Sequence, residues 1–156
     1  MTDKRETAEN IILIVPQIMR IVTAELRQTP YPVVPAHLGV LSMLAHQSAN
    51  LSELAEATAV SLPTMSNTIS YMVREGWVQR TRAQHDRRML LIEITPTGQM
   101  MVAEIYEQLI SHLQTLLNPL STTDEATLQA GLTILQTVFE KLPPIQTKEN
   151  LNDNPV

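Results

Sequence analysis

The sequence has no cysteine and only a few glycine, aromatic and charged residues. Without cysteine, the chain can form no disulfide, no thiolate zinc site and no thiol redox switch. None of its four glycines lies in a glycine-rich loop of the kind that binds phosphate groups. Aromatic residues make up only 3% of the chain, so the core must consist mainly of aliphatic side chains. A length of 156 residues suits one domain with a sizeable core.

The four histidines show no spacing typical of a metal site, such as HExxH. They are His37, His46, His85 and His112. We interpret them as surface or structural residues, and we interpret the eight methionines as soft core filler. The sequence therefore predicts no catalytic residue, no metal, no cofactor and no enzymatic activity.

The most informative stretch runs from residue 61 to residue 97 and begins with a short amphipathic helix. Ser61 is a good N-cap, Pro63 is tolerated only in the first turn, and Gly76 suits the position just past the helix end. One face is predicted to be apolar and buried: Leu62, Met65, Ile69, Met72 and Val73. Small polar groups on the other face suit hydrogen bonding to DNA bases and phosphates. The predicted DNA contacts are Ser61, Pro63, Thr64, Ser66, Asn67, Ser70, Tyr71 and Arg74. The alternative is an ordinary helix with a solvated polar face.

A hairpin with a basic tip is predicted after this helix. Residues 77–82 and 89–94 have the composition of strands, and residues 83–88 form a polar loop between them. A helix followed by such a hairpin is the layout of a winged helix, and arginine at a wing tip can enter the minor groove of DNA. The predicted wing residues are Arg82, His85, Asp86, Arg87 and Arg88, with Asp86 bracing a neighbouring arginine. The alternative is a solvated charge cluster.

Several short motifs together resemble the MarR family of transcriptional regulators, over about residues 35–102. They are LSELAE (51–56), VS (60–61), EGWVQR (75–80), DRR (86–88) and ITPTG (94–98). The Asp-x-Arg wing followed by Thr-Pro-x-Gly is the most specific of them. Many family members have glycine in the turn of the helix-turn-helix, where this chain has Thr58 and Ala59.

The distribution of charge supports an interaction with nucleic acid, although the formal net charge is −5. Residues 61–90 contain five arginines and two acidic residues, whereas the rest of the chain contains six basic and fourteen acidic residues. Local charge determines attraction to phosphate groups. The acidic remainder should repel DNA and so help to orient the encounter.

An unusually apolar segment, residues 11–29, is predicted to form a helix bent at Pro16. Its uncharged run of residues 11–19 is too short to span a bilayer, and it lacks the basic lead and cleavage site of a secretory signal. We therefore expect no membrane interaction and a cytoplasmic protein. The excess of apolar residues indicates burial against another chain. Packing within its own subunit is the alternative.

The remaining elements are predicted from their start and stop signals. A proline-rich connector (29–35) precedes helices at 36–47 and 51–57, and Ser52 is taken as the N-cap of the second. Thr95-Pro96 begins a long helix, and a last helix ends before Pro143-Pro144. Both carry apolar residues at steps of three and four: Val102, Ile105, Leu109, Leu113, Leu116 and Leu120, then Leu128, Leu132, Leu135, Phe139 and Leu142. Such seams pair long helices, either within the chain or between chains.

The predicted fold class is mainly α with a small β-hairpin wing, a winged helix-turn-helix flanked by N- and C-terminal dimerisation helices. We expect one domain with four parts: a helix and connector (1–34), the DNA-binding region (35–96), C-terminal helices (97–142) and a flexible tail (143–156). A homodimer of this kind reads inverted half-sites on double-stranded DNA about 10 bp apart. The MarR resemblance implies a repressor released by a small aromatic or anionic effector between dimer joint and winged helix. The alternative is a helical protein-interaction module whose winged helix binds no DNA.

Overall fold

A computed structural model describes residues 3–83 and 88–140, which contain six helices and one two-stranded hairpin. The elements follow in the order α1 (Lys4–Leu26), α2 (Pro35–Leu44), α3 (Leu51–Ala57), α4 (Leu62–Arg74), β1 (Val78–Arg82), β2 (Leu90–Ile94), α5 (Pro96–Leu117) and α6 (Thr122–Glu140). This architecture confirms the predicted fold class. The predicted tail (143–156) and most of the predicted wing loop lie outside the described residues.

Helix α1 begins earlier than residue 11, because Asp3 accepts a hydrogen bond from the Arg5 N–H and caps the helix. It then runs through Pro16. By length and composition α1 can cross a membrane, with a mean hydropathy of 1.2 over its most apolar window. One such helix is weak evidence for a membrane span, since the core helices of soluble proteins and signal sequences share this length and composition. At its C-terminal end Leu26 is buried, and a Glu25 carboxylate oxygen lies 2.9 Å from the Nδ1 of His112 on α5.

Helices α3 and α4 form the helix-turn-helix, and the cap of α3 differs from the prediction. Asn50, rather than Ser52, accepts from the Glu53 N–H at 2.9 Å, and the Glu53 carboxylate accepts from the Asn50 N–H at 2.8 Å. This reciprocal pair is a capping box, and it satisfies two backbone donors that a helix start otherwise leaves free. The prediction of Ser52 was therefore wrong by two positions.

The hairpin is antiparallel, and both strands begin one residue later than predicted. Val78 pairs with Ile94 at its base and Arg82 pairs with Leu90 near its tip. An isolated bridge between Ala49 and Ile92 connects β2 to the loop before α3. The hairpin is therefore fixed to the helix-turn-helix on one side.

The core lies between α2, α3, α4, the hairpin and the first half of α5. Its fully buried members include Leu41, Leu54, Ile69, Met72 and Ile105. The predicted apolar seam of α5 is divided into two parts. Its first part is buried (Val102, Ile105 and Leu109), whereas Leu116 and Leu120 are exposed. The first half of α5 therefore contributes to the core of this chain. Helix α6 has no buried residue.

Candidate nucleic-acid interface

The start of α4 is fixed by hydroxyl groups that the sequence assigned to DNA contact. The Thr64 N–H donates to the Ser61 Oγ at 3.3 Å, and the two side-chain hydroxyls lie 2.8 Å apart. Pro63 occupies the first turn and is exposed. Ser61 therefore acts first as the cap of α4. Leu62 differs from the prediction: it is 48% exposed instead of buried with Met65, Ile69 and Met72.

The middle of α4 presents polar groups that are free to bind a ligand. Asn67 is exposed and Ser66 is half-buried, and neither side chain has a hydrogen-bond partner among the described residues. Arg74 extends from the last turn and is exposed, with its Nε 3.9 Å from a Glu75 carboxylate oxygen. At that distance the attraction is weak, so the guanidinium keeps most of its capacity to bind an anion.

Ser70 links α4 to the hairpin. A terminal guanidinium nitrogen of Arg80, on β1, donates to the Ser70 Oγ at 2.8 Å. The bond brings a cation to the polar face of α4. Arg80 is therefore a candidate contact residue, which the sequence analysis counted only as part of the local charge.

Tyr71 does not belong to the open polar face to which the sequence assigned it. Its ring stacks on His37 with centroids 4.9 Å apart and meets Trp77 edge-on at 5.8 Å, while its hydroxyl donates to the Pro32 carbonyl at 2.8 Å. The Arg74 guanidinium lies 5.1 Å from the centre of the same ring. Tyr71 thus packs against the connector and α2.

Two titratable groups beside α4 have shifted pKa values. Burial lowers the pKa of His37, because desolvation disfavours its charged form. Its Nδ1 accepts from the Val34 N–H at 3.4 Å, so the neutral ring carries its proton on Nε2. The hydrogen bond from the Tyr31 hydroxyl to Glu104, 2.6 Å long, raises the pKa of Tyr31.

Two of the five predicted wing residues fall within the described part of the chain. Arg82 ends β1 and Arg88 precedes β2, and both side chains are exposed. The Ala83 N–H donates to the Met89 carbonyl at 3.0 Å and extends the pairing towards the tip. His85, Asp86 and Arg87 lie outside the described residues, as does the predicted bracing of an arginine by Asp86. With Arg74 and Arg80, these two arginines place four exposed cations on α4 and the hairpin.

Comparison with known proteins finds relatives among transcriptional regulators and a family model that matches part of the chain. The sequence profile of the MarR family matches residues 32–89. The chain is 25% identical over 95 residues to the uncharacterized HTH-type transcriptional regulator YfiV of Bacillus subtilis (strain 168), and the alignment covers 61% of this chain and 59% of that protein. A MarR family protein from Bacillus stearothermophilus has the same fold, with a TM-score of 0.78, 21% identity, and coverage of 90% of this chain and 100% of that one. Over its winged helix-turn-helix, the chain is therefore similar to MarR-family regulators.

A second solved structure shares the fold of this chain. FabT from Streptococcus pneumoniae, solved in complex with DNA, has a TM-score of 0.72 and 19% identity, covering 90% of this chain and 100% of that one. At such identities the likeness concerns the fold.

The similarity to the MarR family makes the turn between α3 and α4 instructive. Ala59 has a φ of +55°, in the left-handed region that costs a residue with a Cβ about 1–2 kcal/mol. The resemblance indicated glycine here in many members, and this conformation is the physical reason. The departure noted in the sequence thus keeps the turn and adds strain to it.

Proposed function

We propose that this chain is a DNA-binding transcriptional regulator that acts in the cytoplasm as a homodimer. The observation that carries the proposal is the exposed polar face of α4, which includes Asn67, together with four exposed arginines on α4 and the hairpin: Arg74, Arg80, Arg82 and Arg88. Short polar side chains let a helix approach base edges in the major groove, while arginines neutralise the phosphates beside it. FabT, which has this fold, was solved with DNA bound, and that supports the proposal.

Dimerisation is inferred from apolar surface that the single chain leaves uncovered. Large apolar side chains are exposed on α1 and α6, with Ile12 70% and Leu132 45% accessible. Contiguous apolar surface of this kind marks an interface, and a second copy of the same chain is the partner we propose. We further propose that the dimer is a repressor of an inverted repeat with half-sites about one helical turn, or 10 bp, apart. A small aromatic or anionic effector would release it from DNA.

Leu62 suggests one element of sequence preference. An exposed leucine in the first turn of a helix that lies in the major groove is placed to contact the 5-methyl group of thymine. Replacing each operator thymine by uracil in turn should weaken wild-type binding at one position in each half-site and leave Leu62→Ala unaffected at that position. Equal losses in both proteins would remove Leu62 from the interface.

The decisive experiment selects bound duplexes from a random library with the wild-type protein and with Arg88→Ala. We expect an inverted repeat, binding that weakens steeply with salt, and a loss of about 1–3 kcal/mol for Arg88→Ala. Arg5→Ala, which removes the same charge from α1, serves as the matched control and should bind normally. Failure to enrich any sequence at low or moderate salt would reject the proposal and favour a protein-interaction module.

A further inference from the structure

The connector between α1 and α2 is hydrogen-bonded to two different helices at neighbouring residues. The Tyr31 hydroxyl donates to the Glu104 carboxylate on α5 at 2.6 Å. One residue later, the Pro32 carbonyl accepts from the Tyr71 hydroxyl on α4 at 2.8 Å. Val33, which follows, is buried in the core. The connector therefore forms a bridge from α5 to α4, built from two side-chain hydrogen bonds and one buried anchor.

The α4 end of this bridge is held by rings as well as by the hydroxyl. The ring of Tyr71 contacts those of His37, from α2, and Trp77, which follows α4, and these two rings also contact each other with centroids 6.0 Å apart. The His37 ring is held in turn by the Val34 N–H at the end of the connector. These contacts fix the direction of the Tyr71 hydroxyl, so that the bond to Pro32 transmits the position of the connector to α4.

We propose that Tyr71 is a positioning residue for DNA binding, which holds α4 at a fixed orientation to α5 through Pro32, Tyr31 and Glu104. The inference rests on the proposed function, and it reassigns a residue that the sequence placed among the DNA contacts. The second half of α5 carries exposed apolar residues of the proposed dimer interface. The bridge therefore connects that interface to α4, the proposed DNA-reading helix. Its consequence for the dimer is selectivity for one spacing between half-sites.

The test measures affinity for a series of duplexes whose two half-sites are separated by different spacers, together with a duplex carrying one half-site. Tyr71→Phe removes the hydroxyl and keeps the ring. We expect this variant to discriminate between the best spacer and its neighbours about threefold to tenfold less sharply than the wild type. Its affinity for the single half-site should stay within about twofold of the wild type, since a neutral hydrogen bond away from DNA is lost.

Tyr31→Phe provides the second variant, because it breaks the bridge at α5 and alters neither α4 nor the hairpin. It should broaden spacer tolerance like Tyr71→Phe, and the double variant should add little to either single change. Tyr106→Phe is the matched control, since that hydroxyl lies 2.8 Å from the Ser42 Oγ and joins α5 to α2 without the connector. Its spacer preference should equal that of the wild type.

Three results would overturn the inference. Equal weakening of Tyr71→Phe on every duplex, single half-site included, would make Tyr71 a DNA contact. Unchanged spacer preference in Tyr71→Phe and Tyr31→Phe would show that the bridge does not determine the preferred half-site spacing. Broadening in Tyr106→Phe would indicate general loosening of the fold. A wild-type protein that binds no duplex would instead reject the proposed function, so the two failures are distinguishable.

Discussion

The junction between α4, β1 and α5 differs sharply from the terminal helices α1 and α6. At the junction Trp77 is only 3% exposed, and the Thr95 hydroxyl donates to the Gly76 carbonyl at 2.6 Å while accepting from the Gly98 N–H at 3.0 Å. Along α6, by contrast, no residue is buried. The junction is completed by contacts within one chain, whereas the terminal helices carry apolar side chains that the described part of the chain leaves exposed. Under the proposed dimer, these helices are the part of the molecule that depends on a partner.

The terminal helices offer the largest expected effect. Leu132 on α6 is 45% exposed and belongs to the seam predicted from the sequence. Leu132→Ser should weaken association by about 2 kcal/mol per subunit, because each dimer loses the burial of two leucines. Sedimentation equilibrium measures this change.

The matched control for that prediction is Thr137→Ala, since Thr137 lies about 140° around the helix from Leu132 at 100° per residue. It should associate like the wild type. A Leu132→Ser protein that dissociates no more readily than the wild type would show that this face of α6 is not the joint.

The junction offers the next effect. A Cβ at Gly98 would collide with the Trp77 carbonyl oxygen, which is backbone and cannot move aside cheaply. Gly98→Ala should therefore lower the free energy of unfolding by about 3 kcal/mol, measured by urea denaturation. Gly39→Ala is the control, because a Cβ there meets nothing within 4 Å, and it should change stability by less than about 1 kcal/mol. Similar losses in both variants would contradict the proposed collision.

The turn before α4 should respond in the opposite direction. Ala59→Gly relieves the cost of a positive φ, and the added freedom of the unfolded chain offsets only part of that gain. We expect an increase of about 1 kcal/mol in the free energy of unfolding, with normal DNA binding. A less stable Ala59→Gly protein would show that the turn carries no strain.

The smallest effect is a pH dependence. Because burial lowers the pKa of His37 below 6.5, the unfolded chain binds its proton more readily than the folded protein. The stability linked to His37 is complete above about pH 6.5 and is lost as the pH falls towards the folded pKa. Protonation would also place a charge beside Tyr71, over which the Arg74 guanidinium already lies.

Thermal unfolding of wild type and His37→Phe between pH 5 and 7.5 measures this contribution, since phenylalanine keeps the ring and cannot titrate. The wild type should lose more stability on acidification than the variant. Parallel pH profiles would exclude His37 as the source.

Much of the fold could be predicted because its signals are local. Ser61 and Thr95 cap helices within three residues of themselves, and Gly76, with a φ of +77°, follows the end of α4. Even the missed cap had a local signal, since Glu53 stands three residues after Asn50 and completes the capping box. Ser52 also carries a hydroxyl, but it lies inside the first turn of a helix that begins at Leu51.

The candidate site was less predictable because its contacts span long sequence separations. Helical periodicity placed Tyr71 on the polar face, but its partner, Pro32, lies 39 residues earlier in the chain. Arg80 was missed for the same reason, because only the chain reversal after α4 brings it to Ser70. Leu62 has the spacing of the buried face, yet its place at the very start of α4 leaves it outside the core.

The uncovered face of α6 has a consequence for how the protein is made. Since α6 follows every other described element, the ribosome makes it after the helices and the hairpin that form the core. Under the proposed dimer, each newly synthesised chain exposes the apolar face of α6 until it binds a second copy. The melting temperature should consequently rise with protein concentration, and in dilute solution newly synthesised chains will be the form most prone to aggregation.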